Sequence, residues 1–176
     1  MLSLLFTLAL SQSHLVWLEH GPMEFFEASA SWDSSQISAA KLIVKESNNL
    51  GVNPYFMVAI ATVESTLNPN AINKKAKDVG LFQINYRWHK EYFKITNFSE
   101  FKKRLLDPTL NTRYAYKVLV NMSRFRACKG KNLPACYHAG PGWQKSHRKD
   151  QIIAYVKRVY KFERFYERRY PEWKNK

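Results

Sequence analysis

The sequence has 176 residues, of which 45% are hydrophobic and 15% aromatic, so it can bury one sizeable core but is short for two domains. Its formal net charge is +14, and only two of its 28 lysines and arginines lie within residues 1–56. Such a charge attracts nucleic acid, acidic lipid surfaces and anionic cell-wall polymers alike and does not distinguish among them. No apolar run reaches the roughly 18 to 20 residues that a membrane-spanning helix requires.

Residues 1–33 are predicted to form an N-terminal leader. The segment Leu2–Leu10 is apolar enough for the core of a signal peptide, but no Lys or Arg precedes it. The small residues at positions 28–30, which resemble a cleavage site, are separated from that core by polar residues. Two interpretations remain open, a cleaved export signal and an N-terminus that stays attached.

The first predicted helix begins at Ser34 or Ser35, either of which is a favourable N-cap. It ends at Leu50–Gly51, because glycine commonly terminates a helix. Between these points the apolar residues follow helical spacing: Ile37, Ala39, Ala40, Ile43 and Val44.

A second helix is predicted to begin at Asn53–Pro54, since Asn is a good N-cap and Pro is favoured at the first helical position. Asn68–Pro69 ends it. Glu64 lies near its end, at helical spacing from four apolar residues: Met57, Ile60, Ala61 and Leu67. The pattern therefore places the Glu64 carboxyl on the apolar face of this helix.

Two further helices are indicated downstream. Asp107–Pro108 repeats the start signal for a long helix with the apolar residues Leu110, Tyr114, Val118, Leu119 and Met122. The last helix has a stripe of Ile152, Val156, Val159 and Tyr160. The sequence shows no convincing alternation of period two and no Asn-Gly or Asp-Gly hairpin signal. The predicted fold class is all-α, mainly helical, with one domain at residues 34–166 and a basic C-terminal tail at residues 167–176.

Cys128 and Cys136 are the only two cysteines and lie eight positions apart. Either they close a short disulfide loop in an oxidising compartment, or they remain reduced, partly buried thiols. Because no paired His ligands lie near them, they do not make a zinc site, and we expect no metal and no cofactor.

Glu64 is predicted to have a raised pKa. An apolar face disfavours the charged form, and the last turn of a helix lies at the negative end of its dipole. A carboxyl whose pKa rises from about 4.3 by one or two units stays partly protonated near neutral pH, so it can donate the proton that glycosidic cleavage needs. From spacing alone, the alternative is a glutamate that pairs with a basic side chain or faces water.

Four sequence blocks follow in order from this residue. They are Glu64-Ser65, Leu67-Asn68-Pro69-Asn70-Ala71, Gly80-Leu81-Phe82-Gln83-Ile84-Asn85 and Tyr137-His138-Ala139-Gly140-Pro141-Gly142. Their order and spacing closely resemble the soluble lytic transglycosylase family of the lysozyme-like superfamily, over roughly residues 37–162. Asp107-Pro108 and Asn111 also resemble that family's helix between the last two blocks. The resemblance implies a lysozyme-like domain with a deep glycan-binding cleft.

The resemblance also implies site residues. Glu64 would be the catalytic acid at the bottom of the cleft, and Gln83, in the block similar to the family's GLMQ segment, would hydrogen-bond the sugar or its acetamido group. Tyr137 matches the tyrosine of the family's YNAG block, which lies against the carboxyl and the sugar. Ser65, Phe82 and Asn85 complete the substrate-binding set that we predict.

Three details of the blocks concern the sugar contacts rather than the acid. Gly80 would permit close approach of the backbone to the glycan. His138 replaces the usual Asn of the last block. Residues 73–77 lack the Ser and Gly common before the GLMQ segment.

In that family, one glutamate protonates the leaving glycosidic oxygen and then, as a carboxylate, removes the proton of the 6-hydroxyl of N-acetylmuramic acid. The resemblance thus implies cleavage of the β-1,4 bond between N-acetylmuramic acid and N-acetylglucosamine in peptidoglycan, with 1,6-anhydro ends. Hydrolysis usually requires a second carboxyl. Asp78 is the rival acid, so the alternative function is a hydrolytic lysozyme in which Asp78 assists water.

A non-enzymatic alternative is a basic helical module that binds nucleic acid or membrane. Residues 157–176 support it, because eight basic residues alternate there with aromatic ones. We instead expect peptidoglycan glycan strands as the partner, no specific nucleic acid and a monomer. We expect the protein to be located in the periplasm or cell envelope, or to be associated with a virion. Secretion, conjugation and phage assembly stay open as biological contexts.

Overall fold

The computed structural model describes residues 32–174, so the predicted leader lies almost wholly outside the described residues. The helices are α1 (Ser34–Asn49), α2 (Pro54–Ser65), α3 (Tyr86–His89), α4 (Phe98–Leu105), α5 (Pro108–Ser123), α6 (Leu133–Ala139) and α7 (Lys149–Arg169). Single 3-10 turns occupy Arg126–Cys128, Gly130–Asn132, Trp143–Lys145 and Pro171–Trp173. The mainly helical class predicted from the sequence is confirmed.

Helix α2 forms the centre of the core. The Asn53 side chain accepts hydrogen bonds from the backbone N–H groups of Tyr55 and Phe56, and Pro54 occupies the first turn, as the sequence predicts. Eight of the 12 residues of α2 are buried, because neighbouring helices cover it on several sides. It packs mainly against α7 and α1. These contacts hold the end of α2, and with it Glu64, against α7.

The buried stripe of α7 differs from the predicted one. It consists of Ile152, Tyr155, Val159, Phe162 and Tyr166, which alternate in steps of three and four residues. Val156 and Tyr160 are only partly buried, so two of the four predicted members lie on the flank of the stripe. At the far end, the hydroxyls of Tyr166 and Thr62 are 2.9 Å apart and join α7 to α2.

The C-terminal segment continues α7 beyond residue 166. The helix runs without interruption to Arg169, and the Trp173 ring stacks on Tyr55 with the ring centroids 6.1 Å apart. The Tyr55 hydroxyl lies 3.1 Å from the carbonyl oxygen of Tyr170 and 3.0 Å from that of Pro171, positioned to donate to them. The described part of the predicted basic tail is therefore packed on the helical unit, and a domain boundary at residue 166 stays a prediction.

A small antiparallel sheet lies between α2 and α3. Its strands are β1 (Ile72–Asn73), β2 (Asp78–Val79) and β3 (Ile84–Asn85), in that spatial order, with Val79 opposite both Ile72 and Ile84. Strands of two residues are too short to show a period-two pattern, so the sequence contained no signal for them. The sheet carries Asp78 and Asn85 at the side of the unit where α2 ends.

Asn111, fully buried on α5, holds the loop between β2 and β3. Its Nδ2 donates to the carbonyls of Val79 (2.9 Å) and Leu105 (2.8 Å), and its Oδ1 accepts from the N–H of Phe82 (2.9 Å). A Cβ on Gly80 would collide with the Asn111 side chain and the Leu105 carbonyl, and Gly80 has a φ of +79°. The close approach that this glycine permits here is thus to α5.

We expect Asn111→Ala to lower the free energy of unfolding by about 2 to 4 kcal/mol, because it leaves three buried backbone groups without partners. Chemical denaturation checks this, with Asn121→Ala, at a partly buried position near the end of the same helix, as the control. An equal, small loss in both variants would show that the Asn111 contacts do not hold the loop.

Cys128 and Cys136 form a disulfide, with their Cα atoms 5.6 Å apart. Of the two alternatives open from the sequence, the structure shows the bridged one. The bond joins the 3-10 turn after α5 to α6 and lies in a buried cluster with Ala135, Trp143 and Ile152. It therefore restrains α6 one residue before Tyr137.

Two features are absent from the described residues, 32–174. None of their helices is both long enough and apolar enough to cross a membrane. No three His, Cys, Asp or Glu side chains among them are grouped so that they could hold a metal ion.

Candidate active site

Glu64 lies in the last turn of α2, and its Oε1 accepts a 2.7 Å hydrogen bond from the hydroxyl of Tyr155 on α7. The helix ends directly after it, because Thr66 and Leu67 both adopt left-handed backbone conformations. Left-handed non-glycine residues cost energy and occur where the surrounding structure imposes them. Packing thus fixes the Glu64 carboxyl at the point where the chain leaves the helix.

The pKa of Glu64 is raised from 4.5 to about 7, chiefly because burial disfavours the carboxylate. The Tyr155 hydrogen bond opposes this rise, the negative charge of Asp78 adds to it, and the positive charge of Arg158 opposes it. A carboxyl with this pKa is present in both protonation states near neutral pH. It can therefore donate a proton in one step and accept one in the next.

Tyr137 of α6 lies beside this carboxyl. Its hydroxyl donates a 2.7 Å hydrogen bond to the carbonyl of Phe82. Burial, followed by the negative charges of Glu64 and Asp78, raises the Tyr137 pKa well above its usual value of 10.0, so the phenol stays neutral. The structure therefore brings the predicted residues Glu64 and Tyr137 together.

Gln83 has a left-handed φ of +44° in the loop before β3. Its Nε2 donates to the carbonyls of Gly80 (2.9 Å) and Ala71 (3.2 Å). These bonds hold the loop and leave the Oε1 atom without a hydrogen bond among the described residues. Gln83 can therefore orient the loop through its amide nitrogen while its oxygen accepts from a ligand.

Phe82 was predicted in the substrate-binding set, but its side chain is fully buried in the core. The ring packs inside the core and presents no exposed surface in this structure. Its contribution is made by the backbone, whose carbonyl accepts from Tyr137 and whose N–H donates to Asn111.

Ser65 and Asn85, two further predicted site residues, bind neighbouring protein groups. The Ser65 hydroxyl donates to the carbonyl of Leu81 at 2.8 Å and lies 3.2 Å from that of Ala61. Asn85 donates to a carboxylate oxygen of Asp78 at 2.6 Å. In this structure both side chains position the walls of the site.

Tyr155 is the residue that sequence analysis missed. It is buried, its hydroxyl bonds Glu64 across 91 positions, and its ring stacks on the exposed His138 with centroids 4.3 Å apart. The spacing of Tyr155 from Ile152 and Val159 marks it as an inward-facing residue of α7. No local pattern indicates that its partner is Glu64.

Replacing Arg158 with Gln should raise the pKa of Glu64 further, because the nearby positive charge stabilises the carboxylate. The pH profile of activity should then move to higher pH. The difference in pH profile between the variant and the parent should shrink as added salt screens the exposed guanidinium. Lys157→Gln, at the adjacent exposed position, is the control. Superimposable profiles for all three proteins would contradict the assignment.

With this geometry in view, comparisons with known proteins identify the family. The family model described as Transglycosylase SLT domain matches residues 41–155. The chain therefore belongs to the transglycosylase SLT domain family. A search of curated proteins found no significant match.

The similarity extends to a solved structure of lytic transglycosylase Slt from Pseudomonas aeruginosa, an inactive mutant. The sequence identity is 21% and the TM-score 0.51, and the match covers 72% of this chain but 23% of that one. At this identity the likeness shows the fold, which is the lysozyme-like one expected from the sequence. The chain thus spans about a quarter of the length of that protein.

Proposed function

We propose that this chain is a peptidoglycan lytic transglycosylase that cleaves the β-1,4 bond between N-acetylmuramic acid and N-acetylglucosamine. The observation that carries the proposal is Glu64, which has a pKa of about 7 and accepts a hydrogen bond from Tyr155, with Tyr137 nearby, in a chain of this family. One carboxyl with that pKa can serve both halves of the reaction.

In the first step, protonated Glu64 gives its proton to the glycosidic oxygen, and the bond from that oxygen to the anomeric carbon of N-acetylmuramic acid breaks. In the second, the Glu64 carboxylate takes the proton of the 6-hydroxyl of the same sugar, whose oxygen bonds to the anomeric carbon. The product is a 1,6-anhydro ring, and Glu64 ends as it began. Intramolecular attack replaces water because the nucleophile is already positioned.

The other site residues support these steps. The Tyr155 hydroxyl stabilises the carboxylate formed after the first transfer, since it donates a hydrogen bond to it. The free Oε1 of Gln83 is available to accept from a sugar hydroxyl or an acetamido N–H. The neutral Tyr137, whose hydroxyl is bonded to the Phe82 carbonyl, lies close enough to Glu64 for the two groups to interact electrostatically.

A hydrolytic lysozyme is the second candidate, and Asp78 is the observation that favours it. The negative charge of Asp78 raises the pKa of Glu64 and that of Tyr137, and burial raises the pKa of Asp78 itself. Its carboxylate accepts from Asn85, however, which suits a residue that orders the strand pair. Transglycosylation is preferred because the Asp78 carboxylate already accepts a hydrogen bond from Asn85, which suits a structural role better than the activation of water.

Mass analysis of the soluble products from purified peptidoglycan tests the proposal. We expect products with 1,6-anhydro ends, and we expect Asp78→Asn to retain their release. Free reducing ends whose formation depends on Asp78 would establish the hydrolase instead. Release of no product from several peptidoglycan types would overturn both.

We propose an envelope location, periplasmic or at the wall, where the substrate lies; the disulfide suits such an oxidising compartment. Protein recovered from the envelope should carry the Cys128–Cys136 bridge, whereas the same chain kept in a reducing cytoplasm should have two thiols. Intact-mass measurement with thiol labelling distinguishes them. Two labelled thiols in the envelope fraction would contradict the location or the bridge.

A further inference from the structure

Three basic residues share one exposed face in the C-terminal half of α7. Lys161, Arg164 and Arg168 follow one another at intervals of three and four residues, and all three are exposed. At 3.6 residues per turn, these intervals place the side chains above one another along about 10 Å of the helix. The core residues Phe162 and Tyr166 lie on the other side of the same turns. We call Lys161, Arg164 and Arg168 the basic face of α7.

The charges on this basic face repel one another. Like charges three or four residues apart destabilise a helix, whereas pairs of opposite charge stabilise it. Among residues 32–174, none forms an ion pair with any of the three. The helix dipole favours a cation in the last turn, which accounts for Arg168 but not for Lys161 or Arg164. An anionic ligand would offset this repulsion, which a solvated face of alternating sign would avoid.

The acidic residues of this half of α7 lie to one side of the basic face. Glu163 is partly buried and accepts a 2.8 Å hydrogen bond from Nδ2 of Asn53. Burial raises the pKa of Glu163, and the negative charge of Glu167, four residues further along the same side, raises it again. The two signs of charge are therefore segregated around the helix, and the basic face presents one sign only.

The aromatic residues that alternate with these cations in the sequence point elsewhere. Tyr166 is buried, and the Tyr170 ring stacks on Trp173 with centroids 4.4 Å apart. None of the exposed large hydrophobic residues of the described chain belongs to α7. The basic face therefore lacks both the rings that stack on nucleic-acid bases and the apolar surface with which a helix enters a bilayer.

The basic face and the candidate active site lie on different sides of the same helix. Tyr155 points inwards to Glu64, and Lys161 follows it by six residues, about 9 Å along the helix axis. The basic face is thus near the site but turned away from the sugar on which Glu64 would act. A cross-linked wall offers further strands at this distance, and their peptide stems carry free carboxylates.

We propose that the basic face of α7 binds carboxylates of the peptide stems on a peptidoglycan strand next to the one that is cleaved. This surface extends the proposed function, on which it rests. Ion pairs with Lys161, Arg164 and Arg168 hold the chain on the insoluble wall between cleavage events. A soluble fragment that fills only the site around Glu64 gains nothing from them.

The test measures binding to insoluble peptidoglycan without cleavage, in the Glu64→Gln background. The peptidoglycan is first treated with hydrofluoric acid, which removes polymers attached through phosphodiesters, and the protein that sediments with it is measured. Changing Lys161, Arg164 and Arg168 together to Gln should weaken binding by about three- to thirtyfold at low salt, since each exposed ion pair contributes modestly. The difference should largely disappear at high salt, which screens exposed charges.

The matched control removes three exposed cations elsewhere, by changing Arg126, Lys129 and Lys131 after α5 to Gln. Each triple variant lowers the formal net charge from +14 to +11, so an attraction that depends on net charge alone would weaken both equally. The control should bind close to the parental level. The α7 triple variant should melt at or above the parental temperature, because Gln favours helices and the repulsion is removed.

Two further ligands identify the group that is bound. Peptidoglycan whose stem carboxylates have been converted to neutral amides should bind the parent and the α7 triple variant equally. The N-acetylglucosamine tetramer, which has no carboxylate, should also bind both equally, through the site around Glu64.

Equal loss of binding in the two triple variants, or undiminished binding by the α7 triple variant at low salt, overturns the inference. Binding that depends on the basic face but survives amidation of the stems, or occurs with anionic lipid vesicles or duplex DNA and not with peptidoglycan, overturns it in favour of another polyanion. If the chain with Glu64 intact releases no product while the basic face still binds stem carboxylates, the inference stands and the proposed function alone is contradicted.

Discussion

Glu64→Gln is expected to abolish nearly all release of glycan fragments while the fold is retained. Gln preserves the size of the side chain and can still accept the Tyr155 hydrogen bond, but it cannot transfer a proton. General acid and general base roles are each typically worth about a hundredfold to ten-thousandfold, so a residue that performs both leaves little residual rate. Fragment release from purified peptidoglycan, followed by mass spectrometry, gives the measurement.

The control is Glu163→Gln on α7. Burial also raises the pKa of this partly buried carboxyl, which accepts a hydrogen bond from Asn53 well away from the site. It should release fragments at close to the parental rate. If Glu64→Gln keeps substantial release of 1,6-anhydro products, Glu64 is not the catalytic group.

Glu64→Gln should also stabilise the protein in a pH-dependent way. The pKa of Glu64 is about 7 in the folded chain against 4.5 for an ordinary glutamate, so folding favours the protonated form. Its contribution is full below about pH 4.5 and is lost as the pH rises through 7. The free energy of unfolding of Glu64→Gln should equal that of the parent near pH 4 and exceed it by up to about 3 kcal/mol at pH 8. A constant difference across this range would refute the raised pKa.

Tyr155→Phe is expected to lower activity by about tenfold to a hundredfold, as loss of a hydrogen bond to a charged group predicts. Without this donor the carboxylate is less stable, so the pKa of Glu64 should rise above about 7. The limb of the pH profile that reports Glu64 should therefore move to higher pH. A shift of this kind would not follow from a loss of packing alone.

Tyr166→Phe is the matched control for this prediction. Tyr166 belongs to the same buried stripe of α7, and its hydroxyl pairs with Thr62 rather than with Glu64. It should lose comparable stability but keep the parental pH profile. Equal profiles for Tyr155→Phe and the parent would show that Tyr155 does not tune Glu64.

Several elements could be predicted from the sequence because local interactions determine them. Asn53 and Asp107 cap their helices through their own side chains, each followed by a proline in the first turn, as predicted. Glu64 could be placed on an apolar helix face near a helix end from residues within seven positions of it. Each of these features depends on bonds between residues close in the chain.

The remaining features were decided by which distant segments pack together. Glu64 and Tyr155 are 91 positions apart, and Phe82 and Asn111 are 29 apart, so no period or motif relates them. The inward direction of Phe82 and the disulfide between Cys128 and Cys136 likewise depend on how loops meet α5 and α6. The sequence by itself determined the four helices α1, α2, α5 and α7, the caps of α2 and α5, and the position of one acid. Only the packing of α2 against α7 decided that this acid is partly buried beside a tyrosine hydroxyl, because desolvation and hydrogen bonding act through space rather than along the chain.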